Sequence, residues 1–178
     1  IFEKSFFAGG MNGIRAWQAR TLGPGNYNRS SIQSEQLRLN LRNLDQLGEI
    51  KLETNLEYRF RMLNNFLGAK LNGATFVDMG NIWRLRNNSL NQNGAFEFDK
   101  FFSQIAIGTG FGLRFDMGYF TMRLDAGLKI KDPQFSGNEQ WVVRYLFDSK
   151  EFKETYYQSH KPDRYSFIQY NFGIGLPF

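Results

Sequence analysis

Ile50-Lys51-Leu52-Glu53-Thr54-Asn55-Leu56-Glu57-Tyr58-Arg59-Phe60-Arg61-Met62 decides the fold. Its even positions are strongly apolar except for Thr54, and its odd positions are all polar. Side chains alternate between the two faces of a β-strand, whereas a helix would scatter these residues over both of its faces. The segment therefore predicts a strand, and one longer than the usual 5–6 residues or so.

Outward from this segment the alternation recurs. Gln104 to Asp116 sets Ile105, Ile107, Thr109, Phe111, Leu113 and Phe115 against Gln104, Ala106, Gly108, Gly110, Gly112, Arg114 and Asp116. Phe120 to Lys131 sets Phe120, Met122, Leu124, Ala126, Leu128 and Ile130 against Thr121, Arg123, Asp125, Gly127, Lys129 and Lys131. Ile168 to Phe178 closes the chain in the same rhythm. Lys70 to Trp83 gives a fifth strand, less regular because Phe76 shares a face with Asn72 and Asp78. Strands near or above about 9–11 residues are long enough to cross a bilayer at a tilt. The fold class expected is all-β, a transmembrane antiparallel β-barrel with apolar positions toward lipid and polar ones toward a lumen. Aromatics near strand ends (Trp83, Phe101, Phe102, Tyr119, Phe120, Tyr165, Phe178) fit interfacial girdles. The short join Met117-Gly118-Tyr119, beside much longer connections, fits a barrel with tight turns on one rim. The alternative is a soluble sandwich, whose apolar faces would pack on a second sheet. Five strands cannot close a barrel, and an open edge in lipid leaves backbone groups unpaired. The expectation is thus the C-terminal portion of a larger barrel. Ile1 to Phe7 has no basic stretch followed by an apolar one, so it does not read as a signal peptide.

Composition narrows the chemistry. The chain of 178 residues has no Cys and one His, His160. Disulfide scaffolds, thiol nucleophiles and multi-His metal clusters are excluded, and a His-based triad is disfavoured. Its 22 Lys+Arg are interleaved with 17 Asp+Glu, giving a net charge of +5 and a mixed charged surface rather than a nucleic-acid footprint. The mean hydropathy of −0.47 does not argue against a membrane, because a barrel wall turns only alternate residues to lipid. No catalytic constellation, metal site or cofactor motif emerges, and the chain is not expected to be an enzyme. Gly108-Thr109-Gly110-Phe111-Gly112 mimics part of a dinucleotide fingerprint but lies inside a strand with no following helix. Those glycines either bend the wall or clear space on its inner side for something bulky.

The candidate for that object is Gly9-Gly10-Met11-Asn12-Gly13-Ile14-Arg15-Ala16-Trp17. Its glycines permit a tight turn and Arg15 offers a planar donor fork. Glu57 and Asp78 fall on inward faces of consecutive strands, so Arg15 is either a solvated loop residue or the centre of an Arg15–Glu57–Asp78 cluster that pins the loop to the wall.

Phe7 to Trp17 resembles the glycine-rich Arg loop of outer-membrane assembly barrels of the BamA/TamA type. Phe76-Val77-Asp78-Met79-Gly80-Asn81-Ile82-Trp83 resembles that family's Phe-x-Asp strand, and Asn55 to Phe60 its preceding strand with an inward Glu. Gly108 to Asp116 and the ending Tyr170 to Phe178 also fit, and Leu22-Gly23-Pro24-Gly25 resembles versions from Bacteroidetes-like bacteria. The resemblance implies the last five strands of a sixteen-stranded barrel in the bacterial cell outer membrane. It also implies upstream periplasmic repeat domains and a lateral seam between the first and last strands. The implied partners are outer-membrane lipids and lipopolysaccharide, client outer-membrane proteins and accessory lipoproteins. Arg15, Glu57 and Asp78 take the role of lumen-loop anchor, with Gly9, Gly10, Ile14, Ala16 and Trp17 as the loop motif. Ala16 departs from the family's Gly. On the last strand, Phe172, Gly173, Gly175 and Phe178 would form the seam, weakly paired because glycine and Pro177 disfavour regular pairing.

The chain divides accordingly into a lumen or extracellular loop (1–48), four strands (49–131), a long loop (132–163) and the last strand (164–178). Within the long loop, Phe147 to Glu154 reads as a short helix or a solvated charged face, and His160 as an exposed loop residue. The function expected is protein insertion or translocation through the seam. The alternative is a passive channel or nutrient receptor with the same wall.

Overall fold

The computed structural model describes residues 5–41, 44–66, 68–87 and 93–175. Among them, β1 (Ile50–Phe66), β2 (Ala69–Trp83), β3 (Ala106–Asp116), β4 (Thr121–Lys131) and β5 (Ile168–Gly175) form one antiparallel sheet in the order β1-β2-β3-β4-β5. Each strand pairs with its sequence neighbour, through short turns for β1–β2 and β3–β4. Gly68 closes the β1–β2 hairpin at φ +83°, and Gly118 closes β3–β4 at φ +88°, with the Met117 N–H donating to the Phe120 carbonyl. The other rim carries the long connections 84–105 and 132–167. Among the described residues the sheet does not close on itself, and β1 and β5 each have one partner.

The two faces differ as the alternation predicts. The outer face is apolar and bare, with Leu56 63%, Phe172 60% and Ile174 63% exposed. No second sheet covers it among the described residues, so the packing that a soluble sandwich requires is missing. The core lies instead on the inner face, where residues 5–48 fold over the sheet. Ala8, Ile14, Ala16, Trp17 and Leu22 pack there against Ile82 and Ala106.

The segment read as loop before β1 carries a helix, α1 (Glu35–Leu41). Gln104 is not strand; it ends a single helical turn, α2 (Phe101–Gln104), and β3 begins at Ala106. The helix expected at Phe147 to Glu154 is α3 (Ser149–His160), starting later and running longer. It is amphipathic: Phe152 and Tyr156 join Phe135, Tyr145 and Leu128 around a buried cluster of Val142, Tyr165 and Phe167. That cluster caps the long-loop rim.

Three assignments need correction. His160 is 4% exposed rather than a surface residue. It stacks on Tyr156 at 3.8 Å between ring centroids and lies 2.5 Å through Nε2 from Asn28 Oδ1. Trp83 and Tyr165 are not girdle aromatics but buried. Phe96 and Phe101 cover Trp83, whose Nε1–H donates to Gln104 Oε1 at 2.8 Å, and the Tyr165 hydroxyl donates to Asp132 at 2.9 Å. Tyr119 and Phe102 are exposed near the rims.

Candidate functional site

The loop of residues 9–17 is built to present one side chain. Gly9 and Gly10 take φ +88° and +92°, which lets the Gly10 N–H donate to the Trp17 carbonyl at 2.7 Å and folds the loop back on its own stem. Ile14, Ala16 and Trp17 point into the core, and Arg15, between them, points at the wall.

Arg15 is 4% exposed and Asp78 0%. The Arg15 backbone N–H and Nε–H donate to Asp78 Oδ2, both at 2.9 Å, and Nη2–H donates to Asp78 Oδ1 at 2.8 Å. Nη1 pairs with Glu57 Oε2. This fork-to-fork geometry is what a planar guanidinium makes with a carboxylate. Beneath it the guanidinium carbon lies 3.5 Å from the centre of the Phe76 ring, a cation–π contact out of water. Asp78 also accepts from Asn55 Nδ2 at 2.9 Å, and the same amide donates to the Gly13 carbonyl. Register explains the convergence: Asn55 pairs with Asp78, Glu57 with Phe76, and Asp78 with Gly108.

The charges continue across the sheet. Glu57 also pairs with Arg114 at 3.2 Å, Arg114 with Asp125 at 2.6 Å, and Asp125 with Arg123 at 3.3 Å. Arg123 Nη2 then donates to the Met11 carbonyl at 2.7 Å, returning to the loop tip. From β5, Asn171 Nδ2 donates to the Arg15 carbonyl at 2.9 Å. The loop thus touches all five strands.

The inner-face glycines make room for it. A Cβ on Gly127 would stand 2.7 Å from the Arg15 carbonyl oxygen, and one on Gly108 2.6 Å from Ala16 Cβ. The Ala16 methyl that departs from the resembled loop is therefore seated over the missing side chain of Gly108. Ala16 needs no positive φ: Arg20 is the non-glycine residue that adopts one among the described residues.

Of the residues singled out from sequence, Arg15, Glu57 and Asp78 are brought together. Gly9, Gly10, Ile14, Ala16 and Trp17 form the loop around them. Phe172 faces outward on β5, while Gly173 lies under the Met11 side chain and Gly175 meets open space. Phe178 lies outside the described residues. Sequence reasoning missed Asn55, Phe76, Arg114, Asp125, Arg123 and Asn171. Phe76 left a signal, since it broke the polar face of its strand; the others are ordinary polar residues on inward positions.

A family model for the Omp85 superfamily domain matches residues 2–178. No curated protein and no solved structure matches the chain.

Proposed function

The chain belongs to the Omp85 superfamily, a family of outer-membrane β-barrels that insert or translocate proteins, and on that premise we propose that it is part of a protein-assembly barrel of the BamA/TamA type. In this reading its strands are the last five of sixteen, and periplasmic repeat domains, accessory lipoproteins and client outer-membrane proteins are its partners. The first and last strands of the complete barrel meet at a lateral seam, and the protein acts there without covalent catalysis. An unpaired strand edge hydrogen-bonds an incoming strand by the same physics as β-augmentation.

One observation carries the proposal. The loop is fixed to β1 and β2 through Arg15, Glu57 and Asp78 and reaches β5, at the other side of the sheet, through Asn171. A wall braced from inside tolerates a weakly paired last strand. Gly173 and Gly175 on β5 bring no side chains to pack, although the strand holds an unbroken register with β4.

The test is a disulfide between cysteines introduced at Gln169 and at the facing position of the first strand of the full-length protein. Reconstituted in liposomes, the oxidised protein is expected to lose client insertion and to regain it on reduction. Full insertion by the oxidised protein overturns the seam. Large, steady conductance independent of Arg15 is the behaviour of a passive channel and would overturn the assembly reading.

A further inference from the structure

Below the loop tip, toward the rim with the short turns, the inner face opens into a cavity of about 610 Å³. Arg59 and Arg61 of β1, Arg114 of β3 and Arg123 of β4 line it, against a single acid, Asp116. Asp116 is partly engaged already, because its Oδ1 accepts the Gly118 N–H at 2.9 Å. Arg114 keeps Glu57 and Asp125, and Arg123 keeps Asp125, so the positive balance of the basin rests on the exposed Arg59 and Arg61. Arg61 is exposed and has no ion pair among the described residues. The Arg59 side chain is 70% exposed and contacts Glu57 of its own strand.

We propose that this basin binds the carboxylates of an acidic polypeptide segment entering from the short-turn side. Guanidinium forks match carboxylates, and a concave surface with an excess of positive charge draws in anions. Asn72 and Thr121 offer neutral hydrogen bonds for a peptide backbone, and Met11 an apolar contact. A lipid phosphate fits less well, because the apolar surface for its acyl chains is the opposite face of the wall. The entry side rests on the barrel reading proposed above; the basin does not.

The probe is a fluorescein-labelled hexaglutamate peptide, titrated against the full-length protein in detergent and read by anisotropy. Saturable binding is expected, weakened about tenfold or more both by Arg59→Gln with Arg61→Gln and by raising salt from about 50 to 500 mM. This chain has no Cys, so a dye on Asn72→Cys in an otherwise cysteine-free protein reports occupancy with all four arginines present. That dye is expected to respond, and the same dye on Phe98→Cys at the opposite rim is not. Equal affinity in the double variant, or a response at Phe98 without one at Asn72, overturns the proposal. So does displacement of the peptide by inorganic phosphate at low millimolar concentration, which would make the basin a phosphate site. Failed insertion with peptide binding intact would count against the assembly reading and leave the basin standing.

Discussion

Arg15 shields two carboxylates from each other and from the cost of their own burial. Asp78 has no exposure, and without Arg15 its charge would keep only the Asn55 amide. Removing one partner of a buried ion pair costs about 3–5 kcal/mol. Arg15→Ala in the full-length protein is therefore expected to lower stability by about that amount, read as an earlier loss of heat-modifiable mobility. Arg15→Lys should recover only part of it, because an ammonium cannot span Asp78 and Glu57 with a planar fork. A melting profile unchanged in Arg15→Ala would remove the anchor role. At this scale the sequence was legible where parity sufficed: Glu57 and Asp78 stand on inward positions, and the loop glycines advertised a turn. It was not legible where the partner lay far along the chain. Nothing near Asn171 or Arg114 announces that each completes a contact with another strand or with the loop.

At the scale of elements, the strands were legible because burial on one side writes a period of two directly into the residues. The connection 132–167 was not, because its order comes from tertiary packing. α3 is held by rings from four other places in the chain: Phe135, Tyr145, Tyr165 and Phe167. His160 closes this cap onto the segment after the Arg loop, beside an ion pair of Arg29 with Asp163 at 2.7 Å and a bond from Arg38 to the Ser159 carbonyl at 2.8 Å. Burial, reinforced by Arg38 and Arg29 against the hydrogen bond to Tyr156 and the charge of Asp132, brings the His160 pKa down to about 4. A histidine kept neutral in the folded state contributes stability that is fully present above about pH 6.5 and lost as pH falls toward 4. Proteolysis of the 132–167 connection should accordingly accelerate between pH 7 and pH 4.5 or so, and His160→Gln should flatten that dependence. The same slope in wild type and variant would exclude His160 as its source.

For the whole molecule, the decisive property is a sheet with one face filled by its own loop and the other left apolar. Leu56, near the middle of the long β1, tests which solvent that outer face meets. In lipid, Leu56→Arg is expected to cost about 2–4 kcal/mol of folding stability in bilayers. Arg61→Gln, on the inward face of the same strand, should leave stability unchanged. A harmless Leu56→Arg would place the outer face in water or against protein.

The bond from Asn171 to the Arg15 carbonyl joins positions 156 residues apart. The hairpins β1–β2 and β3–β4 need only local closure, whereas this contact closes a far longer stretch of chain at a greater cost in entropy. Without β5 the Arg15 carbonyl loses its Asn171 donor and Met11 the backbone it lies on at Gly173, while the bonds to Asp78 and Glu57 remain.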